Sequence, residues 1–453
     1  MKINKICCIG AGYVGGPTMA VIALKCPEIK VTVVDIDSDK IDLWNSDDLN
    51  QLPVYEPGLN DIIKQTRNKN LFFSENIERA IDESEMIFMA VNTPTKLTGR
   101  GAGMASDLTY VENSAKTIAS VANSHKIVVE KSTLPVRTAE KIKEILSASK
   151  NKFTFEVLSN PEFLAEGTAI QDLFKSDRVL IGGESTKNGQ EAVQSLVEIY
   201  KRWVPHNKIL TVNVWSAELS KLASNAMLAQ RISSINALSA LCEVTGAKID
   251  EVSNAIGHDH RIGHKFLKVS PGFGGSCFKK DILNLVYLCQ FYGLNEVAEF
   301  WLQVVKINNF QRERLAQKID NYVSEKKLSK EIAILGWAFK KDTNDSRESS
   351  SIYIAYNLLE KGYKVNVYDP KVSKIRIMKD INQLGNLKKN VNADLISENI
   401  IIHKSITDLQ NSSYVLIVLT EWDEFKDLND LKEDKIIFDF RNILEEKENI
   451  YRL

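Results

Sequence analysis

The 453 residues carry 58 Lys+Arg against 59 Asp+Glu, a formal net charge of −1, with 44% hydrophobic and 26% charged residues. That balance lacks the basic footprint of a nucleic-acid binder and the low hydrophobicity of a disordered chain. No apolar run reaches the ~18 residues that span a bilayer, and the opening MKINKICCIGAGYVGG enters a strand-like run without a leader h-region, so a soluble cytoplasmic protein with no membrane partner is expected.

At roughly 150 residues per domain the length suggests about three domains. From residue 1 to about 205, short apolar runs alternate with amphipathic stretches. Strands are expected at Lys5 to Ile9, Lys30 to Val34, Met86 to Val91, Lys126 to Glu130, Phe155 to Ser159 and Val179 to Gly182, with helices such as Asp107 to Ala122 and Ala139 to Ser147. This alternation predicts a parallel sheet covered on both faces. From Ser216 to about Ile256, and from Asp281 to Val323, apolar residues recur at helical spacing with no strand run, which predicts a helical block that links domains and pairs subunits. Strand-like runs return at Lys330 to Gly336, Tyr363 to Asp369, Tyr414 to Thr420 and Lys435 to Phe440.

Gly10-Ala11-Gly12-Tyr13-Val14-Gly15 follows the first strand and opens an apolar helix, and Asp35 ends the next strand twenty residues beyond Gly15. Gly10 allows the tight turn, Gly12 lets backbone approach a pyrophosphate, and Gly15 lets helix pack on strand. The helix N-terminus offers N–H groups and a positive dipole end to phosphate. Asp35 is suited to ribose hydroxyls and repels a 2′-phosphate, which favours NAD over NADP. FAD is the competing ligand.

The six cysteines are Cys7, Cys8, Cys26, Cys242, Cys277 and Cys289. Their spacing fits neither a disulfide framework nor a metal site, and reduced thiols are expected. Cys277 differs from the others. It follows Val269-Ser270-Pro271-Gly272-Phe273-Gly274-Gly275-Ser276 and precedes an amphipathic helix. Glycine-rich backbone can wrap a ligand, and a helix N-terminus aided by Lys279 or Lys280 favours a thiolate. The other five are expected to be small buried hydrophobes.

At this point the chain resembles the UDP-glucose/GDP-mannose dehydrogenase family. The resemblance rests on GAGYVGGPT (10–18), VYEPGL (54–59), VNTPT (91–95), EKSTLPVR (130–137), LSNPEFLAEGTAI (158–170) and ELSKLASNAMLAQRISSIN (218–236). It continues through RIGHKFLKVSPGFGGSCFKKD (261–281), LGWAFKKDTNDSRESSSI (335–352) and YDPKV (368–372). It implies an α/β fold, two Rossmann-like doubly wound domains joined by a central helical region. The expected parts are an NAD-binding domain at 1–205, a helical linker and dimerisation domain at 206–325, and a UDP-binding domain at 326–453.

The resemblance also implies a reaction: four-electron oxidation of the C6 alcohol of UDP-glucose to a carboxylate, with two NAD reduced. Cys277 becomes the nucleophile that forms a thiohemiacetal and then a thioester. Lys221 and Asn225, four apart on one helix face, meet the reacting oxygen; Asp281 takes the hydroxyl proton with Lys221 and a water held by Thr133; Glu162 is the base for thioester hydrolysis. The cofactor set implied is Gly10, Gly12, Gly15, Asp35, Lys40, Val91, Thr93, Ser132, Thr133, Glu166 and Arg347. Lys40 stands where an arginine is common, keeping the charge without the planar fork. The substrate set is Glu162, Phe163, Leu164, Lys221, Asn225, Phe266, Lys268, Phe273, Gly274, Phe339, Lys340 and Arg441. Arg261 matches an arginine delivered by a neighbouring subunit, which implies a homo-oligomer, at least a dimer, with a hexamer compatible. Asp47 to Gln51 lengthens a loop relative to the family, and the chain ends soon after Arg441.

Rival readings are the same chemistry on GDP-mannose or a UDP-N-acetylhexosamine, a single-step hydroxyacid-type dehydrogenase that would not need Cys277, and a non-catalytic nucleotide-sugar sensor.

Overall fold

A computed structural model of the chain describes residues 1–148, 153–388, 390–391, 393–430 and 435–453. It divides into two compact units, Met1–Ser224 and Asn225–Leu453.

The first unit is built on eight strands among the described residues: β1 (Lys5–Ile9), β2 (Lys30–Val34), β3 (Leu71–Ser74), β4 (Met86–Met89), β5 (Lys126–Glu130), β6 (Phe155–Ser159), β7 (Val179–Gly183) and β8 (Ile209–Asn213). Runs such as KICCI, MIFM and KIVVE are apolar almost throughout, as strands buried on both faces must be. Side-chain alternation sends Val129 into one core layer with Met19 and Tyr200, and Val128 into the other with Ala139 and Val214. The strand order is β3-β2-β1-β4-β5-β6-β7-β8. The chain thus reverses its direction of travel between β1 and β4, the switch point at which doubly wound sheets bind ligands.

One expectation needs correction. The sheet is not wholly parallel, because β7 meets β6 antiparallel through Ser159 and Gly182, while β7 and β8 run parallel to each other. The cause lies in the connection. The only helix between β6 and β7 is Ala169–Phe174. Six residues rise about 9 Å in a helix, too little to return the chain along a five-residue strand of about 17 Å.

The second unit opens within the helix Val214–Thr245 and continues through helices Ile249–Gly257, Phe278–Phe291 and Asn295–Glu325. Gly293, at φ +77°, ends the helix Phe278–Phe291, with the Leu294 N–H closing back on the Cys289 carbonyl at 2.8 Å. The last helix sends Leu315, Ala316, Ile319 and Val323 into the core of a second sheet. That sheet holds β9 (Glu331–Leu335), β10 (Lys364–Tyr368), β11 (Ile400–Ile402), β12 (Val415–Val418), β13 (Ile436–Asp439) and β14 (Ile450–Arg452). Its order, β11-β10-β9-β12-β13-β14, repeats that of β1 to β6, and its pairs are parallel. The α/β class, the two doubly wound sheets and the helical block between them are as the sequence led us to expect.

Candidate active site

In the first unit the motif residues gather at one edge of the sheet, beyond the C-terminal ends of its parallel strands. Gly10 follows β1, Asp35 follows β2, Val91 follows β4, Ser132 and Thr133 follow β5, and Glu162 follows β6. Gly10 sits at φ +109°, its N–H bonded to the Val34 carbonyl at 2.7 Å. A Cβ there would overlap the Ala90 carbonyl, and a Cβ on Gly15 would overlap the Gly10 carbonyl. Gly12, by contrast, faces open space. The helix Gly15–Lys25 starts with neither a side-chain cap nor an acidic first turn. Such a turn leaves N–H groups for a pyrophosphate, so the residues present fit a dinucleotide.

The Asp35 carboxylate is set by its neighbours. Oδ2 accepts the Ala11 N–H at 2.8 Å and the Lys40 ammonium at 3.0 Å, and Oδ1 accepts the Asp37 N–H at 3.1 Å. Partial burial pushes its pKa up, but these bonds outweigh that and hold it below the usual carboxylate range. Two hydroxyl bonds tie neighbouring loops together: Ser132 Oγ donates to the Val91 carbonyl at 2.6 Å, and Thr93 Oγ1 to the Thr133 carbonyl at 3.2 Å.

Gly15→Ala is expected to displace the helix from β1, cost about 1–3 kcal/mol in overpacking, and weaken NAD binding at least tenfold. Calorimetric titration with NAD checks this, and wild-type affinity would contradict it.

Glu162 heads a buried polar cluster. Its Oε2 pairs with Lys131 Nζ at 2.8 Å, and its Oε1 accepts the Phe163 N–H at 2.9 Å. Lys131 also donates to Asn160 Oδ1 at 3.1 Å and reaches the Tyr200 hydroxyl at 3.2 Å, while that hydroxyl donates to the same Asn160 oxygen at 2.7 Å. Burial alone would raise the Glu162 pKa. The Lys131 ammonium, the Phe163 N–H and the charge of Lys221 reverse that and keep it low. Glu162 is therefore held as an ionised carboxylate. Phe163 lies beneath two cations, with the Arg178 guanidinium 3.9 Å and Lys221 Nζ 5.3 Å from its ring centre. Glu56 of the VYEPGL segment holds the loop that carries Leu164 and Glu166 by accepting the N–H groups of Gly167 and Ala169 at 2.7 and 3.1 Å.

In the second unit Cys277 occupies the cap position of the helix Phe278–Phe291. It is half-buried, whereas the other five cysteines are buried. One turn on, the Asp281 N–H bonds the Cys277 carbonyl at 2.8 Å. The Asp281 carboxylate, 1% exposed, accepts Asn225 Nδ2 at 2.6 Å. The glycine loop before Cys277 is held from the helix Asn295–Glu325. The Asn308 amide accepts the Phe273 N–H at 2.8 Å and donates to the Phe273 carbonyl at 3.0 Å. Gln311 donates to the Ser270 carbonyl at 2.9 Å. Arg312 donates to the carbonyls of Phe273 and Glu348, each at 2.7 Å. A Cβ on Gly274 would press on Phe339 and the Glu348 backbone.

Of Lys279 and Lys280, either expected to aid a thiolate, Lys279 is engaged elsewhere. Its ammonium bonds both Glu348 carboxylate oxygens at 3.0 Å and the Tyr353 hydroxyl at 3.2 Å, so its charge is spent on that pair rather than on Cys277.

The second sheet repeats the glycine turn but not the phosphate cradle. Gly336 follows β9 at φ +96° and bonds Tyr368 as Gly10 bonds Val34. The next helix, however, starts only at Ser350. Asp369, the counterpart of Asp35, accepts the N–H groups of Trp337 and Ala338 at 2.6 and 2.9 Å and the Trp422 indole at 3.1 Å. Its carboxylate thus braces the turn from inside. Arg441, after β13, donates to the carbonyls of Leu419 and Phe339 at 2.7 and 2.9 Å and pairs with Glu421 at 3.1 Å. Lys340 stands 5.8 Å from the Phe339 ring centre. Lys268 reaches the Asn442 carbonyl at 3.4 Å. Arg347 forks onto Asp345, and the exposed Arg261 onto Asp259. Phe266 is exposed at φ +62°.

Sequence reasoning did not single out Lys131, Asn160 and Tyr200, nor Asn308, Gln311 and Arg312. The last three left a signal, a polar stripe at i, i+3 and i+4 inside an otherwise amphipathic helix. Among the described residues no His, Cys, Asp or Glu cluster is suited to a metal ion, and no helix is long and apolar enough to cross a membrane.

The glycine turn, the uncapped helix start and Asp35 make the first unit a dinucleotide-binding domain. Family models for the UDP-glucose/GDP-mannose dehydrogenases match the NAD-binding domain at residues 4–204, the central domain at 215–310 and the UDP-binding domain at 333–446. The chain belongs to that family. It is 54% identical to UDP-glucose 6-dehydrogenase 4 of Arabidopsis thaliana, over 97% of this chain and 93% of that one. It is 53% identical to the UDP-glucose 6-dehydrogenase of Mus musculus, over 98% and 90%. A solved UDP-glucose dehydrogenase from Pyrobaculum islandicum superposes with a TM-score of 0.82 at 27% identity, over 99% of this chain and 97% of that one.

Proposed function

We propose that this protein oxidises UDP-glucose to UDP-glucuronate, with two NAD reduced per sugar and Cys277 as the covalent nucleophile. The observation that carries the proposal is Cys277 itself, half-exposed at a helix cap on a braced glycine loop while every other thiol is buried. Bound NAD supplies a hydride acceptor for each of the two oxidations.

In this reading Asp281, steadied by Asn225, receives the C6 hydroxyl proton through a water that Thr133 holds, and Lys221 offsets negative charge on the C6 oxygen. The Cys277 sulfur then adds to the aldehyde carbon, the C=O π bond opens and the thiol proton passes to the oxygen, forming a thiohemiacetal; loss of the second hydride from that carbon and of the hydroxyl proton leaves a thioester. Glu162, kept ionised by Lys131, takes a proton from the attacking water. The C–S bond breaks and the thiolate returns as the carboxylate forms. A thiohemiacetal retained on the protein explains why the aldehyde need not leave.

Asp35 and Lys40 would hold the adenosine ribose; Val91, Thr93, Ser132, Glu166 and Arg347 would line the cofactor. Phe163, Leu164, Phe266, Lys268, Phe273, Gly274, Phe339, Lys340 and Arg441 would hold the UDP-sugar. The names of relatives more than half identical to this chain favour UDP-glucose over GDP-mannose or a UDP-N-acetylhexosamine. The fold does not separate these sugars, since a UDP-D-ManNAc dehydrogenase from Pyrococcus horikoshii shares it with a TM-score of 0.77 at 22% identity.

We also infer a homo-oligomer and a cytosolic setting. Met227, Leu238, Leu241 and Val244 are 40–80% exposed on one long helix, an apolar surface of the kind subunits cover, and Arg261 would serve a neighbour's site. Six free cysteines suit a reducing compartment. Initial NADH formation with UDP-glucose, GDP-mannose and UDP-N-acetylglucosamine tests the substrate. UDP-glucose is expected to lead by at least tenfold in kcat/KM, and a lead by either rival would overturn that assignment.

A further inference from the structure

Two glutamates outside the proposed chemistry meet in the core of the first unit. Glu130 ends β5 and is 1% exposed; Glu218 lies one turn before Lys221 on the helix Val214–Thr245 and is 2% exposed. The Glu218 carboxylate has defined partners. Oε2 accepts the Arg137 N–H at 2.7 Å and Oε1 the Ala139 N–H at 2.8 Å, so it caps the helix Thr138–Ser147 from a distant segment. Glu130 is different. Neither of its carboxyl oxygens meets an N–H or O–H donor, yet its carboxyl lies within hydrogen-bonding reach of Glu218.

Two ionised carboxylates are acceptors only and repel one another in a dry core. One proton between them turns the contact into a strong O–H···O⁻ bond. Among the described residues, the neighbouring cations are engaged elsewhere. Strand alternation sends Lys131 to the opposite face of the sheet, where it serves Glu162, Asn160 and Tyr200. The Arg137 guanidinium turns to Glu140 and the Trp215 ring. Lys143, further along the same helix, pairs with Glu184 at 2.6 Å and stands 4.0 Å from Glu156. Lys221 and Arg178 lie over Phe163.

We propose that Glu130 and Glu218 share one proton at neutral pH. This carboxyl pair is a positioning device that fixes the Lys221-bearing helix to the end of β5, where Thr133 begins, and to the start of the helix Thr138–Ser147. Its consequence for turnover rests on the roles proposed above for Lys221 and Thr133.

The direction of the pH dependence follows from burial, the largest influence on both groups, which raises both pKa values, that of Glu218 to about 7. A carboxyl whose folded pKa lies above its unfolded value gives stability that is complete below about 4.5. That stability is lost as pH rises through the folded pKa. The test is the melting temperature of the intact enzyme between pH 5 and pH 8, for wild type and Glu130→Gln. Glutamine supplies a permanent N–H donor to Glu218 and needs no proton. The wild-type melting temperature is expected to fall relative to the variant by about 2–5 °C per pH unit across that window. Parallel curves would overturn the proposal. Should the variant fail to fold, the infrared carbonyl band of a protonated acid decides on wild type alone. The band is expected at pH 7, weakening as pH rises, and its absence overturns the pair. Diverging melting curves with an unchanged pH profile of kcat would uphold the shared proton and tell against Lys221 and Thr133 instead.

Discussion

Cys277→Ser is expected to lower steady-state NADH formation from UDP-glucose by about a thousandfold or more, the scale on which removal of a covalent nucleophile acts. A serine hydroxyl matches the thiol in shape but is a far weaker nucleophile at neutral pH, so in the proposed mechanism the second oxidation would have no thioester to pass through. Stability should change little, within about 1 kcal/mol, because the residue is half-exposed at a helix cap. Stopped-flow absorbance at 340 nm with a parallel thermal melt separates the two effects. Sustained turnover at the wild-type rate would show that Cys277 is not the nucleophile.

Lys131→Met should be the most damaging single change to the first unit. The Lys131 side chain is 3% exposed, and its ammonium holds the Glu162 carboxylate at 2.8 Å. Removing one partner of a buried ion pair strands the other and costs about 3–5 kcal/mol. The loss should depend on pH in a defined sense. The folded Glu162 pKa is depressed, mainly by Lys131 acting against desolvation, so its contribution is present above the unfolded carboxyl value of about 4.5 and is lost as pH falls below it. Denaturant titrations at pH 7.5 and pH 4.5 should therefore show a smaller deficit at the lower pH, where the stranded acid can be neutral. An equal deficit at both would mean that Lys131 acts through packing alone. If Glu162 is the hydrolytic base as proposed, kcat of the same variant should fall more than KM rises.

The parts of the fold legible in the sequence were those whose pattern is local. KICCI, KVTVV and EIAIL are short, apolar and β-branched because each is buried on both faces, and the structure places strands there. The strands that escaped notice are edge or short pieces. β8, ILTVN, is exposed along most of its length, and β11 and β14 are three residues each, so burial leaves little mark on their composition. The antiparallel turn into β7 was equally hidden, since it depends on the length of a helix rather than on any residue type.

The candidate site divides in the same way. Gly10, Gly15 and Cys277 carry their geometry in adjacent residues, a turn, a close approach and a helix cap. The Glu162 cluster draws Lys131, Asn160 and Tyr200 from three separate segments, and Asp369 joins the turn after β9 to Trp422. Spacing along the chain cannot encode such meetings. Lys279 shows the opposite hazard: it neighbours Cys277 in sequence, yet its charge is claimed by Glu348, 69 residues away.

The central claim is that one protein carries the alcohol through two oxidations without releasing the aldehyde. The direct measurement is the amount of NADH formed when a limiting quantity of UDP-glucose is run to completion with excess NAD, with the product identified by mass spectrometry. Two NADH per sugar and a UDP-glucuronate product are predicted. One NADH per sugar, or an aldehyde recovered in solution, would contradict the account.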